Sequence, residues 1–263
     1  MLSALIIVFR EVLEMSIVLG LLFAATRGVA GAKKFILAGS GLGLLGALLF
    51  AFFMEEVESA MDGAGEFVFN AVVLAIASVL LAWTVVWMSR HGKELSEHIQ
   101  QVGASVADGS TPMMGLLMIS LAAVMREGGE AVFFLFGIMQ VEEDTQAMLA
   151  GGLLGLVAGA AFGTMLYQGL IRIPMRYVFK VMGALLILLA ASMASQAANN
   201  LVLVDILPPI IDTLWDSSFI LSDESLLGEI LHVLVGYDSQ PSGMQMIVFV
   251  LTLGVVTYLY RKA

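Results

Sequence analysis

The chain contains no cysteine, which excludes disulfide bonds, thiolate metal sites and iron–sulfur clusters. It is also poor in charge, since Asp, Glu, Lys and Arg make up only 13% of its 263 residues against about a quarter in soluble domains. Its formal net charge of -10 excludes binding that depends on nucleic-acid phosphates. Apolar residues make up 60%, and the mean hydropathy is +0.97. This composition predicts an integral membrane protein rather than a soluble one.

Long apolar runs, each about the length needed to cross a bilayer, fill most of the chain. We predict an all-α protein with one transmembrane domain, 1–263, and about seven transmembrane helices at 2–26, 35–54, 66–89, 113–139, 147–170, 178–198 and 243–260. The first run has no basic segment before it and contains charged residues, so we expect a retained helix and not a signal peptide.

The positions of the basic residues predict the orientation of the helices. Ten of the twelve Lys and Arg residues follow the first, third, fifth and seventh predicted spans, whereas the opposite connections contain only acidic charges. Lys and Arg collect on the cytoplasmic side of membrane proteins. We therefore predict that the N-terminus lies outside and the C-terminus in the cytoplasm, in a cell membrane that the chain crosses several times.

The odd number of spans is compatible with two inverted halves of three helices followed by a final helix. In that arrangement the first and fourth helices run in opposite directions, and a substrate site is expected near the midplane between the halves.

The two remaining basic residues, Arg10 and Arg126, lie inside the first and fourth spans. Each begins the pattern Arg-Glu-x-x-Glu, which continues with Glu11 and Glu14 in one copy and with Glu127 and Glu130 in the other. A charged residue at the centre of a membrane helix costs about 2.5–3.5 kcal/mol on insertion scales. Six such residues at similar depth therefore indicate a function.

The spacing of these patterns is suited to a cation. Glutamates three residues apart share one helix face, and each Arg lies within ion-pair reach of the glutamate four residues later. We predict that Glu11, Glu14, Glu127 and Glu130 are metal ligands, supported by ion pairs with Arg10 and Arg126. Oxygen ligands suit hard ions such as Mg, Ca, Mn and ferric iron, and the spacing does not choose among them. The alternative is a pair of buried salt bridges that fix helix packing.

The duplicated pattern in the first and fourth of seven spans resembles the high-affinity iron permease family, which includes the fungal oxidase-linked permeases and their bacterial relatives. Further stretches are similar to bacterial members of the family, namely 166–174 and the region from Trp215 to Gly243. The resemblance covers essentially the whole chain. It implies iron uptake with the four glutamates as ligands, a location in a bacterial inner membrane, and an extracytoplasmic partner that oxidises or delivers iron.

Two predicted outer regions have weaker interpretations. An acidic group at the predicted outer mouth could collect cations before transport or could be an ordinary solvated loop; it consists of Glu55, Glu56, Glu58, Asp62 and Glu66. The acidic, amphipathic segment 199–240 is expected to lie on the outer surface, as a plug over the helices or as a docking site for a partner.

The sequence therefore predicts an iron permease that is not an enzyme and has no cofactor, with Fe2+ or Fe3+ as its transported ion. The alternatives are a transporter of another divalent cation or a proton-coupled carrier, since membrane glutamates also relay protons. A membrane redox subunit is a weaker alternative, because there is no Cys and all three His lie outside the predicted spans.

Overall fold

The computed structural model of the chain describes residues 1–262 except 61–65, 140–144, 169–174, 223–224, 226, 229–230 and 233–235. Within its helices, the side chains of 57–60, 66, 91–100, 107 and 175–179 are also outside the description. Seven long helices account for most of the described residues: α1 Leu2–Ala25, α2 Ala32–Ala60, α3 Glu66–Ala107, α4 Met114–Met139, α5 Thr145–Tyr167, α6 Met175–Leu203 and α7 Gly243–Lys262. The prediction of an all-α membrane protein is confirmed, since the described ranges contain helices and no strand.

Five of the helices contain stretches long and apolar enough to cross a membrane, namely Ala32–Glu56, Phe67–Arg90, Thr145–Tyr167, Lys180–Leu203 and Gly243–Lys262. The other two, α1 and α4, carry the Arg-Glu-x-x-Glu patterns, and three charges near the middle of each interrupt its apolar run. Helix α1 contacts α2, α3, α4, α5 and α6. The helix with the most deeply placed charges is thus surrounded by other helices, which shield those charges from lipid.

Helix α3 is longer than its predicted span of 66–89. It continues without a break through the polar segment after Arg90 and ends at Ala107, giving 42 residues. At 1.5 Å per residue it is about 63 Å long, roughly twice the thickness of the hydrocarbon core. Residue 89 is where the apolar run ends, so the predicted span stops there. The helix itself continues beyond this predicted membrane boundary.

Two clusters of buried apolar side chains lie on either side of the charged residues of α1. The larger one joins α1, α3, α4 and α6 and includes Ile7, Leu81, Phe134 and Leu186. The smaller one lies at the other end of α1, around Leu22. The charged residues of α1 therefore lie between two packed apolar regions, which prevent the helix from sliding relative to its neighbours.

The helices pair in the way that two inverted halves require. Helix α1 packs along α5 and α4 packs along α2, so the first helix of each half contacts the second helix of the other half. Helices α3 and α6, the third of each half, pack against each other, as do α1 and α4. This exchange of partners matches the predicted arrangement of three plus three helices.

Two glycines lie at equivalent points of the α1–α5 and α2–α4 contacts. A Cβ atom on Gly155 of α5 would lie 3.0 Å from the backbone nitrogen of Phe9, and one on Gly43 of α2 would lie 3.0 Å from the backbone nitrogen of Met125. Phe9 and Met125 each directly precede the Arg of their pattern. Small residues at these crossings allow the backbones to approach closely. The first helix of each half therefore meets its partner at the same point relative to the charged pattern.

The described part of segment 199–240 is folded back onto the ends of α6 and α7. The backbone N–H groups of Leu214 and Ser217 donate to the carbonyl oxygens of Pro241 and Ser239, both at 2.9 Å. His232 contacts Gln196 of α6 through Nε2 at 3.2 Å. Its Nδ1 lies 2.6 Å from the carbonyl oxygen of Tyr237. Both ring nitrogens of this histidine are thus occupied by internal contacts, which supports a structural role.

Candidate metal site

The charged pattern of α1 is almost completely enclosed. Arg10, Glu11 and Glu14 are 4%, 0% and 5% exposed. The Arg10 guanidinium reaches both carboxylates, with Nη1 2.5 Å from Glu11 Oε1 and Nη2 2.7 Å from Glu14 Oε1. The first contact is a hydrogen bond, and the second is a close ion pair.

The matching pattern of α4 is more open. Arg126 Nε donates to Glu130 Oε1 at 3.1 Å and lies 3.8 Å from Glu127 Oε1. The Arg126 side chain is 39% exposed and that of Glu130 is 21% exposed, whereas Glu127 is buried. Two patterns that are alike in sequence therefore lie in different environments.

Three carboxylates from the two helices converge. Glu11, Glu14 and Glu127 each offer an oxygen atom, and these three atoms lie within 4.8 Å of one another. Glu11 and Glu127 each also have a buried side-chain oxygen with no hydrogen-bond donor among the described residues. A buried carboxylate oxygen without a partner is costly, and a bound cation would satisfy it.

The fourth predicted ligand lies outside this cluster. Glu130 pairs with Arg126 through Oε1 and accepts a hydrogen bond from Thr84 through Oε2 at 3.3 Å. The structure thus brings three of the four predicted glutamates together and places the fourth beside them with both oxygens engaged.

Two side chains of α3 belong to this environment and were not predicted from the sequence. Thr84 is buried and donates to Glu130, and the Trp87 ring lies 4.9 Å from the Arg126 guanidinium carbon, as in a cation–π contact. They are three residues apart and so share a helix face. Their sequence context is an ordinary apolar span, and only the packing of α3 on α4 shows their part in the site.

The predicted outer acidic group is described only in part. Glu55 and Glu56 lie near the end of α2 and are exposed. Asp62 and the side chains of Glu58 and Glu66 lie outside the described residues. The role of this group in collecting cations stays a prediction.

The buried cluster has the chemistry of a cation site. All of its potential ligands are carboxylate oxygens, which hard cations prefer. When Glu11, Glu14 and Glu127 are ionised, their charge together with that of Arg10 is about -2, in surroundings where electrostatic interactions are strong. A divalent cation would balance that charge. The Arg126 and Glu130 pair beside it is neutral.

The chain is thus a multi-pass helical membrane protein with an enclosed carboxylate cluster between two of its helices. The chain belongs to the iron permease FTR1 family, which matches residues 1–260. The resemblance inferred from the two charged patterns is thereby confirmed over the full transmembrane region.

Several relatives are ferrous iron permeases named EfeU. The one from Shigella flexneri serotype 5b (strain 8401) is 30% identical over 191 residues, which cover 72% of this chain and 81% of the relative. The one from Escherichia coli O6:K15:H31 (strain 536 / UPEC) is 28% identical over 240 residues, which cover 90% of this chain and 87% of the relative. No solved structure matches the chain significantly.

Proposed function

We propose that this protein is an iron permease that carries iron into the cytoplasm through the site formed by Glu11, Glu14 and Glu127. The observation that carries the proposal is the convergence of three buried carboxylates from two helices, two of them with an oxygen that has no hydrogen-bond donor among the described residues. Membership of the iron permease FTR1 family supports iron as the ion. Arg10 holds two of the carboxylates in place while the site is empty.

The preferred ion in this proposal is Fe2+. The net charge of about -2 around the cluster, for fully ionised carboxylates, is balanced by one divalent ion, whereas Fe3+ would leave an excess positive charge in low dielectric. The names of the relatives, ferrous iron permeases, agree with this choice. Oxygen ligands also accept Fe3+, so both oxidation states belong in the test.

The route follows the predicted orientation. With the N-terminus outside, Glu55 and Glu56 lie near the outer end of α2, where exposed negative charge would raise the local cation concentration. The ion would then reach the midplane cluster and leave towards the basic connections on the cytoplasmic side. An extracytoplasmic protein that delivers or oxidises iron remains part of the proposal, with segment 199–240 as its docking surface.

Two alternatives give different outcomes in the same assay. Carboxylates in a membrane can bind other divalent cations or relay protons, so transport of Mn2+ or proton-coupled uptake would indicate one of those carriers. A redox subunit would need a haem or cluster. Such a subunit would show no saturable ion uptake.

The test is uptake of radioactive iron into proteoliposomes that contain the purified chain, with Fe2+ under anaerobic reductant and Fe3+ as a soluble chelate supplied separately. We expect saturable Fe2+ uptake. Glu127→Gln should abolish it, because glutamine keeps the volume of the side chain but removes one of the converging charges.

Asp212→Asn is the matched control, because it also replaces one carboxylate by an amide but lies on the exposed outer segment. It should transport normally. Folding of each variant is checked by size-exclusion chromatography and circular dichroism. Uptake by a folded Glu127→Gln protein equal to that of the wild type would overturn the site, and saturable uptake of Mn2+ without uptake of iron would identify another ion.

A further inference from the structure

The four motif glutamates are not equivalent in their contacts. Glu11 and Glu127 each keep a buried oxygen without a hydrogen-bond donor among the described residues, and Glu14 is paired with Arg10. Glu130 instead has both oxygens engaged, one with Arg126 and the other accepting from Thr84. Glu130 is one helical turn from Glu127, a spacing at which side chains on a helix reach each other. A rotation of its side chain would therefore bring Glu130 to the cluster.

One face of α3 supports the contacts that hold Glu130 away from the cluster. Thr84 is 4% exposed and donates its hydroxyl directly to Glu130. Trp87, one turn further along α3, lies 4.9 Å from Arg126, which in turn holds Glu130. The two α3 side chains thus act on the carboxylate by two routes, one direct and one through the guanidinium.

We propose that Thr84 and Trp87 are positioning residues that hold Glu130 in reserve beside the three-carboxylate site, until a bound metal ion draws it in as a fourth ligand. This inference rests on the proposed function of the cluster and adds α3 to the transport site. It also gives the two patterns different tasks: the α1 pattern, with Glu127, binds the ion first, and Glu130 joins and leaves during each transport cycle.

The strengths of the contacts fit a reversible exchange. The hydroxyl bond to Glu130 is 3.3 Å, long for an O–H donor, so it is weak enough to break when a cation competes for the carboxylate. The Trp87 ring keeps the Arg126 guanidinium beside Glu130, so that the ion pair can re-form when the metal ion leaves. When the ion leaves, Arg126 and Thr84 recapture Glu130 and help to empty the site.

The experiment measures iron uptake and metal binding by Thr84→Val, which keeps the shape of the side chain and removes the hydroxyl. Without the hydrogen bond from this hydroxyl, Glu130 is freer to bind the ion, so KM and the Kd for Mn2+, followed by electron paramagnetic resonance, should both fall roughly threefold. The maximal rate should fall by a similar factor, because the ion is released more slowly. A purely structural role would weaken binding or leave it unchanged.

Three further variants isolate the effect. Thr84→Ser restores the hydroxyl and should restore the wild-type KM and rate. Thr84→Val in a Glu130→Gln background should bind Mn2+ no differently from Glu130→Gln alone, since the two residues act through one contact. Ser78→Ala removes another buried hydroxyl of α3, one that donates to the Ala190 carbonyl oxygen, and should leave KM and Kd unchanged.

Trp87 is tested in the same way. Trp87→Leu removes the aromatic ring and should change KM and the maximal rate in the same directions as Thr84→Val, whereas Trp87→Phe retains a ring face and should have a smaller effect.

The role of α3 is overturned if Thr84→Val leaves KM, Kd and rate at wild-type values, or if it has the same effect with and without Glu130. Either result, with normal uptake by the wild type, leaves the proposed function intact. Absence of iron uptake by the wild type, or its persistence in Glu127→Gln, would instead overturn the proposed function.

Discussion

Replacing the arginine of each pattern by methionine should have unequal effects, although the two patterns are alike in sequence. Arg10 is 4% exposed and reaches two buried carboxylates at 2.5 and 2.7 Å. Removing one partner of a buried ion pair costs about 3–5 kcal/mol, because the other charge stays buried without compensation. Arg10→Met should therefore lower the free energy of unfolding by about this amount.

Arg126→Met should cost much less. Its side chain is 39% exposed, and its contacts with Glu130 and Glu127 are 3.1 and 3.8 Å. An exposed ion pair contributes about 0–1 kcal/mol, and the contact with Trp87 adds about 0.5–1 kcal/mol. The difference between the two variants should thus be about 1–4.5 kcal/mol.

The assay is thermal unfolding of the detergent-solubilised proteins, with and without Mn2+. One kcal/mol corresponds to a shift of roughly 2–4 °C for chains of about this size, so Arg10→Met should unfold roughly 6–20 °C below the wild type. Mn2+ should stabilise Arg10→Met more than the wild type, because the ion replaces the lost positive charge. Equal losses in the two variants, or no response of Arg10→Met to Mn2+, would refute this reasoning.

Two further predictions concern helix packing and segment 199–240. Gly155→Ala should lower the midpoint of thermal unfolding, because its Cβ would lie 2.5 Å from a carbonyl oxygen of α1, whereas a Cβ on Gly152 has no neighbour nearer than 3.9 Å. Hydrogen bonds from the side chain and backbone of Ser218 lower the pKa of Asp216. The contribution of the Asp216 charge to stability should therefore be fully present above the usual aspartate pKa. It should be lost as the pH falls through the lowered pKa of the folded protein. Trp215 fluorescence, with the other two tryptophans replaced, should report that transition.

The controls for these two predictions use neighbouring positions. Gly152→Ala should leave the unfolding midpoint unchanged or raise it, since Ala is the better helix former. A loss equal to that of Gly155→Ala would contradict the proposed close approach of α1 and α5. Asp216→Asn should abolish the acidic fluorescence transition, and its persistence would assign the transition to another group.

The helices were largely predictable because membrane spans are set by local composition. Each predicted span falls on one helix, since about twenty apolar residues in a row have few alternatives in a bilayer. Helix α3 is the exception in length, because helix formation continues into polar sequence after Arg90 while the apolar pattern stops. The partner exchange between the halves was compatible with the sequence, but glycine contacts such as Gly43 with α4 appear only in the packed structure.

The sequence by itself determined that the chain is a helical membrane protein of the iron permease family, with two charged patterns at mid-span. These properties depend on residue type and on spacing along one helix. The tertiary structure decided that Glu11, Glu14 and Glu127 converge while Glu130 turns to Arg126 and Thr84. Helical spacing relates residues of a single helix only. The environment of each carboxylate depends on how α1, α3 and α4 pack, and this packing makes two patterns of the same sequence type physically different.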